Sequence, residues 1–121
     1  MFRFSIIALL ALAAAILSPA DAGAHAHLKR AKPAAGSTVT PSPTEVVVTF
    51  TEKLEAKFSS IEVQNGQGAP MQTGATTLSD NATELRTALK PLPPGTYKVI
   101  WRVLAVDTHR AQGSFTFKVG P

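Results

Sequence analysis

Three histidines, His25, His27 and His109, are the chain's whole supply of imidazole, and no cysteine offers a thiolate. His109 stands two residues after Asp107, a spacing at which a tight turn or an extended segment aims both side chains at one point. His27 lies just behind an apolar leader. A histidine that becomes the first residue of a processed chain gains a free amine beside its ring, and the amine and Nδ1 together close a chelate. With Glu52 as a further carboxylate, these nitrogen and oxygen donors suit Cu(II) in a tetragonal arrangement, or Zn(II) with less demand on geometry. The Irving–Williams order favours Cu(II) at the same donors. Amine and imidazole must both shed a proton to bind, so affinity falls as the pH drops.

Taken singly, these residues have plainer roles. Asp107 is a natural turn former, His109 an ordinary loop histidine, and Glu52, next to Lys53, a solvated charge. Only their placement at one end of a fold points to a metal, so the elements that carry them decide the matter.

The leader comes first. Residues 6–17, IIALLALAAAIL, form an unbroken apolar run of 12 after the single base Arg3, and the run ends at Ser18-Pro19. That is the pattern of a secretory signal, too short to persist as a membrane-spanning helix. The small-x-small windows Ala20-Asp21-Ala22, Ala22-Gly23-Ala24 and Ala24-His25-Ala26 would leave Gly23, His25 or His27 as the first mature residue. A cut after Ala26 discards His25 and leaves a mature domain of 95 residues, 27–121. A cut after Ala24 leaves His25-Ala26-His27, whose third-position histidine could hold Cu(II) with the amine and intervening amides, without Asp107 or His109.

The mature part is long enough for one compact domain. Its patterning is that of strands: EVVVTFT over 45–51 sets Val46, Val48 and Phe50 against Val47, Thr49 and Thr51, and GSFTFKV over 113–119 alternates in the same way. Residues 97–106 alternate with both faces partly apolar, which suits a central strand covered more than once. Shorter strands are expected at 28–31, 60–64, around 71–78, and at 84–89, with Pro- and Gly-rich turns between them. About seven short strands in such a length predict an all-β fold, a single immunoglobulin-like sandwich. Trp101 and Tyr97 belong to its core face.

If consecutive strands reverse direction, the first begins at the end where the second and the sixth finish. His27, Glu52, Asp107 and His109 then share that end. The mature part keeps a net charge of +4, since the leader carries one base, Arg3, and one acid, Asp21. Its bases are scattered along the chain, so solubility accounts for them and no nucleic-acid partner is expected.

Together the histidine-led HLKRAKPAAGS, then VVVTFTEKL, and the closing PLPPGTYKVIWRVLAVDTHRAQGSFTFKVGP make the chain resemble the CopC family of periplasmic copper-binding proteins over essentially its whole mature length. The resemblance implies a Greek-key sandwich and one Cu(II) held by the amine and ring of His27, by Asp107 and by His109. Glu52 matches an acidic position near that site in some members. It implies cleavage at Ala26–His27, a periplasmic location without membrane insertion, and a role in buffering or delivering copper, often beside an inner-membrane transporter of the CopD type. Some members add a Cu(I) site in a methionine-rich loop. Here the mature part has only Met71, and no histidine stands between His27 and His109, so no Cu(I) site is expected.

Two other classes of function compete. An amine-and-imidazole clamp on copper also serves oxidative polysaccharide-cleaving enzymes, but those need an aromatic substrate platform, and Trp101 and Tyr97 are expected in the core; no enzyme activity is expected. A metal-free exported interaction module would take up no Cu(II).

Overall fold

The computed structural model describes residues 26–121. Apart from Ala26, the leader and its cleavage windows, His25 included, lie outside the described residues. Among the described residues eight strands run in order: β1 (Leu28–Lys32), β2 (Thr38–Val39), β3 (Glu45–Phe50), β4 (Ser60–Gln64), β5 (Thr77–Leu78), β6 (Glu84–Ala88), β7 (Gly95–Leu104) and β8 (Arg110–Val119). A 3-10 turn, Ala56–Phe58, lies between β3 and β4.

The strands form two four-stranded sheets, in the orders β1-β3-β6-β5 and β2-β8-β7-β4. The seven strands other than β2 reproduce the A-B-E-D and C-F-G arrangement of an immunoglobulin sandwich. Every pairing is antiparallel except that of β2, which runs parallel to β8 at the sheet's outer edge. Tyr97, near the start of β7, donates its hydroxyl proton to the carbonyl of Pro93, the corner bond of this fold.

Alternation decides which side chains meet between the sheets. Val46, Val48 and Phe50 of β3 are buried, as are Ile61 and Val63 of β4, Tyr97, Val99 and Val103 of β7, and Phe117 and Val119 of β8. Trp101 meets Phe50 edge-on, with ring centroids 5.2 Å apart. Its indole also lies over Gly113, its cross-strand partner, leaving no room there for a Cβ. Ala26, one residue ahead of the expected mature start, is packed into this same core at 1% exposure.

The structure departs from the sequence reading in four places. β7 occupies 95–104 rather than 97–106, and β8 starts at Arg110 rather than Gly113, because the two strands pair without interruption from Gly95↔Val119 to Leu104↔Arg110. β7 is central in its sheet but covered on one face only; Lys98 and Arg102 on the other are exposed and Ile100 is half-buried. β2 was too short to show a period. Around 71–78 only Thr77–Leu78 is a strand, since this stretch crosses from one sheet to the other. On the way both its backbone and its side chains close the edge of β4: the Met71 N–H donates to the Val63 carbonyl at 2.7 Å, Gln72 Oε1 accepts from the Val63 N–H at 2.9 Å and Thr76 Oγ1 from the Ile61 N–H at 3.1 Å.

Candidate metal centre

The β7–β8 ladder ends at Leu104↔Arg110 and leaves a five-residue turn, 105–109. Within it the Thr108 N–H donates to the Ala105 carbonyl at 2.8 Å, and the Ala105 N–H to the His109 carbonyl at 2.9 Å. Closing so tightly puts Thr108 at a φ of 77°, a left-handed conformation that a β-branched residue rarely adopts. The turn brings its flanking residues together: Asp107 Oδ1 accepts from the His109 N–H at 3.2 Å and lies 3.3 Å from His109 Nδ1. The His109 backbone N–H, and then its ring, hold the Asp107 carboxyl below the usual aspartate range. Both side chains face solvent, 38% exposed for Asp107 and 49% for His109.

His27 reaches the same end from the other sheet. It precedes β1, whose first pair is Leu28↔Phe50, and both its backbone polar atoms are held by Thr51. The His27 N–H donates to Thr51 Oγ1 at 3.0 Å, and the Thr51 N–H donates to the His27 carbonyl at 2.9 Å. Beyond Thr51 the chain leaves the first sheet and joins the second. The Lys53 carbonyl accepts from the Val106 N–H at 2.9 Å, Leu54 bridges to Ala105, and the Glu55 N–H donates to the Leu104 carbonyl at 2.8 Å. Residues 51–55 thus form a strap bonded to His27 on one side and to the Asp107-bearing turn on the other. Glu52 sits in this strap, half-buried, between its two tied neighbours.

All four expected ligands therefore lie at one end of the sandwich, with Asp107 and His109 in contact. Among the described residues no three of His, Asp and Glu gather closely enough to hold a metal; the His27 ring and Glu52 stand apart from the pair. As chemistry, the set fits Cu(II) or Zn(II): imidazole nitrogens and carboxylates, solvent-accessible, with no thiolate. Two contributors escaped the sequence reading. Thr51 reads as a polar-face strand residue because its partner lies 24 positions earlier, and nothing in DTH marks Thr108 as left-handed. Phe58 and Val106 add exposed apolar side chains at this end.

A model of the CopC domain matches residues 28–120, beginning one residue after His27 and including Asp107 and His109. The copper resistance protein C of Xanthomonas campestris pv. juglandis is 35% identical over 127 residues, which cover 98% of this chain and 99% of that protein. The crystal structure of CopC from Methylosinus trichosporium OB3b superimposes with a TM-score of 0.74 at 34% identity, covering 80% of this chain and 95% of that one. The copper transport protein CutJ of Bacillus subtilis is 29% identical over 120 residues, 98% of this chain but 22% of that longer protein. The domain match, the identity over nearly the whole length and the structural likeness agree, and the chain belongs to the CopC family.

Proposed function

We propose that the processed chain binds one Cu(II) in the periplasm and buffers it or exchanges it with an inner-membrane copper transporter of the CopD type. The ligands are the amine and ring of His27, Asp107 and His109, with Glu52 as the neighbouring acid. The observation that carries this reading is the solvent-facing Asp107–His109 pair, on a turn hydrogen-bonded through the 51–55 strap to His27. Family membership supplies copper as the metal, since the relative from Xanthomonas is named a copper resistance protein. The transporter partner is supported by the occurrence of a CopC-like segment within a longer copper transport protein. The leader 1–26 accounts for the free amine and for export; among the described residues no helix is long and apolar enough to cross a membrane.

Met71 packs against the core, which supports leaving Cu(I) out of the reading. Tyr97 is buried and Trp101 is wedged between Phe50 and Gly113, so neither offers a carbohydrate platform, and this favours a binding protein over an oxidative enzyme. Oxidised sugars released from a polysaccharide by the copper form and a reductant would reverse that preference.

The decisive experiment is a Cu(II) titration of protein beginning at His27, followed by spin resonance. One equivalent should bind with a nitrogen-rich signal. Acetylating the amine, or His109→Ala, should weaken binding by orders of magnitude. Unchanged affinity after acetylation would show that the amine is not a ligand.

A further inference from the structure

We infer that Thr51 is a positioning residue for the metal site, its hydroxyl fixing the His27 nitrogen where the chain changes sheets. The inference rests on the proposed role of that nitrogen as a ligand. In an antiparallel ladder, a hydrogen-bonded pair at His27 and Thr51 would exchange two backbone bonds, N–H to carbonyl in each direction. One is present: the Thr51 N–H donates to the His27 carbonyl at 2.9 Å. The other is replaced. The His27 N–H donates to the Thr51 hydroxyl at 3.0 Å instead of to the Thr51 carbonyl.

The substitution has a topological reason. β3 ends at Phe50, and the next residues must turn toward the far end of β7, where Lys53 and Leu54 pair with Val106 and Ala105 of the 105–109 turn. A backbone that turns away at Thr51 withdraws its carbonyl from the ladder, and the side-chain oxygen takes over as acceptor. One residue thereby holds both ends of the His27 backbone and begins the strap that reaches the Asp107 turn.

When the Ala26–His27 bond is cut, the same nitrogen becomes an amine. It keeps a proton for the Thr51 oxygen and turns its lone pair toward a metal. A metal-bound amine is a stronger donor than a free one, so this bond tightens on loading. Groups that orient ligands in this way typically contribute about 10- to 100-fold to metal affinity.

The test uses protein beginning at His27 in three forms: unaltered, Thr51→Val and Thr51→Ser. Each is titrated with Cu(II) against a competing chelator, and its spin-resonance spectrum is recorded. Thr51→Val, which keeps the branched shape and loses the acceptor, should bind at least tenfold more weakly with altered hyperfine splitting. Thr51→Ser should restore both. With the amine acetylated, Thr51→Val should no longer change copper affinity, because the hydroxyl acts through the nitrogen. If Thr51→Val fails to fold, Thr51→Ala serves the same comparison. Unaltered protein that binds through its amine, with Thr51→Val matching it in affinity and spectrum, overturns the role of Thr51 alone. Affinity indifferent to acetylation overturns the function proposed above.

Discussion

Asp107 shows how one side chain can serve both a turn and the proposed site. Its carboxylate accepts the His109 N–H and thereby holds the turn that presents the two residues together. Its pKa is lowered in the folded chain, chiefly by that backbone bond. A lowered folded value means that the ionised form stabilises the fold above the unfolded aspartate pKa of about 3.9, and that this contribution disappears as pH falls through the lower folded value. Metal-free Asp107→Asn should therefore be less stable than the parent at pH 7, by a margin that narrows as pH falls below the unfolded aspartate value, as measured by urea unfolding across that range. At this scale the sequence could single out candidate donors, because imidazole is rare in this chain and chemically explicit. It was silent on Thr51 and Thr108, whose roles lie in a distant partner and a backbone angle rather than in residue type.

At the scale of the elements, the long strands announced themselves through period 2, and β4 and β3 fall where the alternation puts them. What alternation could not show was where pairing stops. β7 and β8 end where their mutual ladder gives way to the 105–109 turn, a limit set by two strands jointly. The stretch over 70–76 was unreadable for a different reason: beside the Met71 backbone, the Gln72 and Thr76 side chains bond to β4, and these carry no strand periodicity. Gly113 marks another contact that a single sequence conceals. A Cβ there would stand 2.5 Å from Trp101 Cζ2 and 2.9 Å from Cε2, and the indole cannot yield easily with Phe50 against it. Gly113→Ala should cost about 1–3 kcal/mol of stability, seen as a lower thermal midpoint with a shift in Trp101 fluorescence. An unchanged midpoint would mean that the ring relaxes freely.

For the whole molecule, strand parity was enough to bring residues 27, 52, 107 and 109 to one end. The parity survived the unforeseen β2 because that strand runs parallel to β8, in the same direction as β1, and so adds no reversal. What parity could not supply was the closeness of the candidate ligands, which depends on side-chain torsions. The buried Ala26 bears on the assembled domain in another way. Cutting the chain behind it removes a methyl group from the core, worth roughly 1 kcal/mol. Keeping it fills the core but leaves the His27 nitrogen inside a peptide bond, so packing and chelation compete for one covalent link. Metal-free protein that retains an acetylated Ala26 should melt about 4–8 °C above protein beginning at His27. With Cu(II) present the order should reverse, because metal adds stability only to the form that binds it. Calorimetry of both forms, with and without copper, checks this crossing. With the proposed cleavage and copper site, maturation would trade hydrocarbon for coordination, and the loaded domain would be the more stable one.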